Sequence, residues 1–365
     1  GAYFTVIANP SLKWETQIST DIALEFGLFD RLTGTIEYFK KDSKDLLFDV
    51  SQPASVGVTS IIQNIGKVTN SGVEIELDYN AFKNKDWSVS VGANATFVKN
   101  KIKNLPATMK ENGYISGSKK WLEGKSIYEF WLRQWHGVDP QTGDGLYVAD
   151  VSKYNQGNIG TGDGNITQSQ FDEYKKTVVT IDGKELTNSY TYAKYDFSGS
   201  SIPDVYGGFN VRVSYKNFEL AAVFSYQLGG QILDTNYATM MSMTEFGYAQ
   251  SPDLLKAWKQ AGDITEVPRI DNSAAHTTNI GQSYSTRWLT SSDYLNLRSV
   301  TIGYQLPKTW LSKVMLKSAR LNLTAENLFM LKARQGLNPM ANYSGVTYNE
   351  YMPSRNITLG LNVSF

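Results

Sequence analysis

Trp14-Glu15-Thr16-Gln17-Ile18-Ser19-Thr20-Asp21-Ile22-Ala23-Leu24-Glu25-Phe26-Gly27 decides the fold. Trp14, Thr16, Ile18, Thr20, Ile22, Leu24 and Phe26 occupy every second position, and Glu15, Gln17, Ser19, Asp21, Ala23, Glu25 and Gly27 fill the alternate ones. A period of two puts the first set on one face of a β-strand and the second on the other. One face is greasy and the other polar, with no turn signal for more than ten residues. A short turn at Phe29-Asp30-Arg31 then leads into a second strand from Leu32 to about Asp42.

The same pattern continues outward along the chain. Val73, Ile75, Leu77, Tyr79 and Ala81 alternate with Glu74, Glu76, Asp78 and Asn80, and the turn Lys83-Asn84-Lys85-Asp86 leads to Trp87, Val89, Val91, Ala93, Ala95 and Phe97. Phe209, Val211, Val213 and Tyr215 turn at Lys216-Asn217 into Leu220, Ala222, Phe224 and Tyr226. Later strands cover roughly 293–306 and 319–329, and the last carries Ile357, Leu359, Leu361, Val363 and Phe365. This predicts roughly nine strands of about 10–15 residues, long enough to cross a bilayer when tilted. Short turns (28–31, 83–86, 216–217, with a moderate one at 307–318) alternate with long loops at 43–71, 100–203, 231–291 and 331–352. Tight turns on one side and long loops on the other are the mark of an antiparallel transmembrane β-barrel. The competing fold is a soluble β-sandwich such as a lectin, whose strands are shorter and whose loops are more evenly shared.

Composition is compatible with this and excludes other classes. Hydrophobic residues make up 41% of 365 residues, yet there is no apolar run long enough for a transmembrane helix; a barrel hides its apolar content in alternate positions and tolerates a mean hydropathy of −0.33. Lysine plus arginine and aspartate plus glutamate both number 35, so there is no basic surface for nucleic acid. The absence of cysteine removes disulfides, thiolate metal sites and thiol nucleophiles. With 22 Tyr, 16 Phe and 8 Trp, the aromatic load suits interface girdles or ligand stacking. His136 and His276 lie in separate loops without metal-ligand spacing, and no phosphate loop or nucleophile elbow is present, so no catalytic residue and no cofactor are expected.

Strand parity carries a further expectation. If the final strand ends on the periplasmic side, nine crossings place Gly1 in an extracellular loop. An open sheet is unstable in lipid, so further strands must come from residues before Gly1 or from another chain. The one clear helical stretch is expected at 252–261, with Leu254, Leu255 and Trp258 on one side.

Several segments together resemble one family, the SusC/RagA-type TonB-dependent outer-membrane transporters. They include Asn9-Pro10-Ser11-Leu12-Lys13-Trp14-Glu15, Thr69-Asn70-Ser71-Gly72-Val73-Glu74-Ile75, Glu123-Gly124-Lys125-Ser126-Ile127, Gly137-Val138-Asp139-Pro140-Gln141-Thr142-Gly143, Tyr206-Gly207-Gly208-Phe209-Asn210 and Tyr226-Gln227-Leu228-Gly229-Gly230. Tyr294-Leu295-Asn296-Leu297-Arg298-Ser299-Val300-Thr301-Ile302-Gly303-Tyr304, Glu326-Asn327-Leu328-Phe329 and Leu359-Gly360-Leu361-Asn362-Val363-Ser364-Phe365 complete the set, in the family's order. The resemblance implies that residues 1–365 are the C-terminal part of a plugged barrel of about 22 strands, with the plug and earlier strands preceding Gly1. It also implies a SusD-like surface lipoprotein as lid, energy from the TonB complex, pairs of transporter and lipoprotein that can dimerise, and oligosaccharide (glycan) or peptide cargo. Alternatives are a siderophore or vitamin receptor of the wider TonB-dependent group, a passive porin, or a surface β-sandwich adhesin.

Candidate ligand or lid contacts are the loop aromatics Trp121, Tyr128, Phe130, Trp131 and Trp135, followed by Tyr190, Tyr192 and Trp288; packing within the loops is the competing role. Glu74, Glu76, Asp78, Arg212, Arg298 and Glu326 are expected to face the lumen, where mutual salt bridging and solvation compete with plug or cargo contacts. Leu361, Val363 and Phe365 resemble a barrel-insertion signal, and Phe365 also suits an interfacial anchor. Asp163-Gly164-Asn165-Ile166-Thr167 is similar to the middle of an EF-hand loop, but Ile159, Thr161 and Gln170 stand where oxygen ligands belong, so no metal is expected.

Overall fold

The computed structural model describes residues 8–51, 60–162, 164–243, 247, 249–281, 284–312 and 315–365. The expected start at Gly1 and Asp163 of the EF-hand-like stretch lie outside these residues. Nine strands form one antiparallel up-and-down sheet: β1 (Thr16–Leu28), β2 (Leu32–Ser51), β3 (Ser60–Lys83), β4 (Trp87–Asn104), β5 (Val205–Tyr215), β6 (Phe218–Leu228), β7 (Tyr294–Gln305), β8 (Ser318–Glu326) and β9 (Asn356–Ser364). A short strand, Met330–Lys332, pairs with the start of β7. Among the described residues β1 and β9 are the two edges, each with one neighbour. None of the described helices is long and apolar enough to cross a membrane; any crossing is made by strands.

The register aligns the alternating sets into rows. Leu28, Leu32, Tyr79, Val91, Val211, Ala222, Val300, Ala325 and Ile357 are successive partners across all nine strands, and every one is apolar. The next row on that face runs Phe26, Gly34, Leu77, Ala93, Phe209, Phe224 and Leu297, with the Phe209 and Phe224 rings stacked at 4.6 Å. Near the tight turns the face ends in aromatics. Trp87 meets Tyr215 at 4.3 Å, and Phe218 meets Tyr304 at 4.5 Å. Aromatic rings at that level are what a membrane interface selects. Along β6 the outward positions run from Phe218 to Leu228. At ~3.4 Å per residue and a tilt of about 40°, they span about 26 Å of height, matching the apolar band of a membrane barrel.

The opposite face is polar at the same height. Glu37 stands against Glu74, Thr35 against Glu76, Thr33 against Asp78, and Asn210 against Gly92. Like charges directly opposite one another are unfavourable unless water screens them, so this face belongs to a wet lumen. At the short turn 84–86, the Asn84 side chain accepts from the backbone N–H groups of Asp86 (2.9 Å) and Trp87 (2.8 Å), which fixes the hairpin.

The expected loop 43–71 is largely not a loop. β2 continues to Ser51 and β3 begins at Ser60, so the hairpin stands well above the apolar band. Alternation is lost in the sequence here because the solvent changes on both faces. Beyond the band, Val68 of β3 and Ile102 of β4 lie on the same face as Glu74 and Asn94, yet they are buried with Leu105 and Met109. The inner face turns apolar where it supports the loops, and the outer face turns polar where lipid ends. Register shifts between Ser43 and Leu47, with Asp45 at φ 57°, mark the change.

The expected helix at 252–261 is also corrected. Pro252–Lys256 forms a 3-10 helix only, with Ser251 as its cap; Leu254 packs inward, Leu255 is exposed, and the Trp258 indole N–H donates to Pro140 O at 2.9 Å. The longest helix described, α1 (Gln168–Thr177), was not anticipated. Its Thr167 cap and Gln170 form a reciprocal capping box, so the residue at the twelfth EF-hand position caps a helix.

Candidate functional site

Three long connections fold together on one end of the sheet. In 105–204, Tyr195–Ser200, Glu129–Arg133, Lys119–Trp121 and Tyr114–Ser116 make one small sheet; Val178–Ile181, Lys184–Thr187, Gly145–Val148 and Trp135–Val138 make another. The connection 229–293 docks on it. The Tyr147 hydroxyl donates to Asn279 O (2.7 Å), Asn279 accepts from Tyr190 N (2.6 Å), and Trp135 N donates to Thr286 Oγ1 (2.9 Å). The third connection joins through Arg334 to Asp234 (3.1 Å) and the Thr235 hydroxyl to Thr347 O (2.6 Å). Phe130, Leu132, Leu233, Trp288 and Val346 from all three form a shared core.

The predicted aromatics divide into two sets. Phe130 and Trp288 are core residues, closed to solvent at 0% and 2% exposure. Trp121 packs edge-on against Phe48 at 5.8 Å and donates from its indole to Ile127 O, and Tyr192 packs with Tyr154 and Tyr174. These four serve the loop core. Tyr128, Trp131, Trp135 and Tyr190 are half-buried, as Trp121 and Tyr192 also are. Trp131 lies parallel to Tyr195 at 6.2 Å, and Lys120 sits over its ring at 4.0 Å. Arg133 lies near the rings of Tyr190 (4.9 Å) and Tyr195 (4.7 Å), and Arg287 near those of Trp135 (4.7 Å) and Trp288 (4.3 Å). Arg334 lies over Tyr237 at 3.5 Å. Each cation–ring contact is worth about 0.5–2 kcal/mol, more where water is excluded.

The structure therefore adds arginines that sequence reading overlooked. The only signal for them was adjacency, as in Arg133-Gln134-Trp135 and Arg287-Trp288, which is too common to single out. Arg287 and Arg334 line a cleft of about 330 Å3 with Trp135, Tyr237, Met241 and Val267. Burial pushes the Arg287 guanidinium down to about 10, opposed by the nearby Tyr147 and Tyr237 hydroxyls. Burial likewise pushes Lys119 down to about 7, with the Glu129 carboxylate opposing; the ammonium donates to Tyr128 O at 2.9 Å and lies against the Phe130 face.

On the wall, Glu74, Glu76 and Asp78 share the polar face, and Glu76 and Asp78 line a concavity with Glu25. The expected mutual salt bridging does not reach them: among the described residues no basic group lies within 4 Å of any of the three, because their strand neighbours are acidic or neutral. Arg212 pairs with Glu219 (3.5 Å), which also takes Arg320 (2.9 Å). Arg298 sits at the register shift between β6 and β7, and Glu326 accepts from Asn356 (3.2 Å). Leu361 and Val363 lie on β9 opposite Leu321 and Ala319, and Phe365 follows that strand, 79% exposed. Among the described residues no cluster of His, Asp and Glu is suited to hold a metal.

Comparison with known proteins fits this architecture. The family model "TonB dependent receptor-like, beta-barrel" matches residues 1–161. TonB-dependent receptor P3 of Formosa agariphila is 29% identical over 384 residues, covering 100% of this chain and 36% of that protein. TonB-dependent receptor SusC of Bacteroides thetaiotaomicron is 24% identical, covering 98% and 32%. The structure of the RagAB peptide transporter superposes with a TM-score of 0.77 at 25% identity over 100% of this chain and 37% of that one. The chain thus spans about a third of the length of the relatives it matches. In sequence and in fold the chain is thus similar to TonB-dependent receptor β-barrels, and to the SusC and RagAB proteins among them.

Proposed function

We propose that the nine strands are one arc, the C-terminal one, of a larger closed barrel in an outer membrane, and that the whole protein imports oligomeric nutrients, glycans or peptides, with energy from TonB. A SusD-like surface lipoprotein would close over the folded loops. The carrying observation is the pairing of a continuous nine-strand apolar row with a knitted loop assembly at one end only. A lipid-facing band needs the first, and capture of a large ligand needs the second. The match to the TonB-dependent receptor SusC supports the energised mechanism, and the likeness to the RagAB peptide transporter supports oligomeric cargo of the peptide class; glycans are carried by the family resemblance of the sequence. The part-open Trp131, Trp135, Tyr128 and Tyr190 are the proposed loop contacts for cargo or lid. The acidic stripe Glu74, Glu76 and Asp78 is proposed to face the plug, and Leu361, Val363 and Phe365 to guide insertion. The test is growth on oligosaccharide or peptide as sole source in cells carrying the full receptor, with and without TonB. Import that persists without TonB points to a porin, and a protein that extracts without detergent removes the membrane reading altogether.

A further inference from the structure

Arg287 is the best-placed unmatched charge in the loop assembly. Its guanidinium lies against two indole rings, 4.7 Å from the centroid of Trp135 and 4.3 Å from that of Trp288, and its Nη1 donates to Ile280 O at 3.1 Å. Among the described residues no carboxylate lies within 4 Å of it. The other charges of the cleft are accounted for. Arg334 is paired with Asp234 at 3.1 Å, Asp253 takes Lys256 (2.6 Å) and the Tyr237 hydroxyl (2.8 Å), and Glu266 and His136 stand exposed at the rim. Two indole rings against a largely buried guanidinium exclude water from it and leave the N–H groups that do not reach Ile280 O as the place for a partner. A guanidinium edge is a fork matched to two oxygens in a plane.

We propose that this cleft receives the free C-terminal carboxylate of a peptide, with Arg287 as its binding fork and Trp135 and Trp288 as the plates that hold the fork in place. The proposal rests on the import reading and narrows its cargo. A neutral sugar is disfavoured because it offers no charge to the guanidinium, and Trp288, closed to solvent, cannot stack on a pyranose. The cleft sets the Thr265 and Thr286 side chains and Gly137 beside the buried Met241 and Val267, so the last residue of a peptide meets both polar and apolar neighbours. A cleft of about 330 Å3 admits the end of a chain while the remainder runs on across the loops.

The test is equilibrium binding to the full receptor in detergent, followed by tryptophan fluorescence. The probes are the pentapeptide Gly-Ala-Leu-Ala-Leu with a free C-terminus, the same peptide as its C-terminal amide, trigalacturonate, and acetate. The free acid is expected to bind about tenfold or more tightly than the amide, since one charge-assisted fork is lost. Arg287→Gln should bring acid and amide within about twofold of each other. If that variant does not fold, the acid-to-amide ratio on the unsubstituted receptor still decides. Equal binding of acid and amide, tighter binding of trigalacturonate than of the peptide, or no peptide binding while TonB-dependent glycan uptake continues, each overturns the carboxylate site and leaves the import reading standing. Loss of energised uptake for every oligomer is the separate result that removes the import reading and this proposal with it.

Discussion

Val211 offers the sharpest test of the outward face. It belongs to the apolar row that crosses all nine strands, and it lies four residues from Tyr215 in the aromatic rim. At ~3.4 Å per residue and a tilt of about 40°, that distance is about 10 Å of height, within a few ångström of the middle of a band about 26 Å tall. Arginine there should cost about 2–4 kcal/mol, or roughly 30- to 800-fold in the folding equilibrium. Tyr215→Arg, at the rim, should cost only about 0–1 kcal/mol of lipid penalty beyond the lost ring packing with Trp87. Asn210→Arg, one residue away on the polar face, should stay within about 0.5 kcal/mol of the parent. The assay is guanidinium-driven equilibrium unfolding of the full receptor from phosphatidylcholine vesicles, with a second set in detergent. If Val211→Arg and Asn210→Arg prove equally tolerated, or the cost does not change between Val211 and Tyr215, the assignment of lipid to this face is wrong.

Two further outcomes follow from the loops. Lys119 is protonated in the unfolded chain up to its ordinary 10.5 but loses its proton in the folded chain at about 7, so between those values the unfolded state binds more protons and the loop assembly gains stability as pH rises. Thermal melting of the loop region should therefore shift upward from pH 7 to pH 9 in the parent and lose that slope in Lys119→Met; a parent with no slope contradicts the assignment. Gly345 adopts φ 71°, and a Cβ there would run into Ser201 and the Gln231 carbonyl. Gly345→Val should loosen the docking of 333–355 onto 231–235 and speed proteolytic cleavage there, while leaving extraction by detergent unchanged; resistance equal to the parent would show that the contact is dispensable.

How far the sequence reached can be seen strand by strand. From Trp14 to Phe26 and from Phe209 to Tyr226 every side chain has lipid on one side or water on the other, so a period of two is written plainly and the structure follows it. Along 44–51 and 60–70 the same strands leave the membrane, water takes the outer face, and loop residues take the inner one. The pattern that separates faces by polarity no longer applies, and a strand hairpin reads as a loop. Within 105–204, Phe130 and Leu132 alternate with Trp131 and Arg133, but the run is too short to distinguish from loop packing.

What the sequence alone determined is the sheet, its alternation and its tight turns, because lipid and water sort residues by nearest-neighbour rules along the chain; a family resemblance came from the motifs. What only the tertiary structure decided is which aromatics are fully buried and which half-open, that Trp135 and Trp288 both lie against Arg287, and that among the described residues Glu74, Glu76 and Asp78 have no salt-bridge partner, which leaves solvation of the two roles expected for them. Trp135 and Arg287 are 152 positions apart, and they meet because three loops share one buried core. Burial of that core is a property of the assembled loops, and no local pattern encodes it.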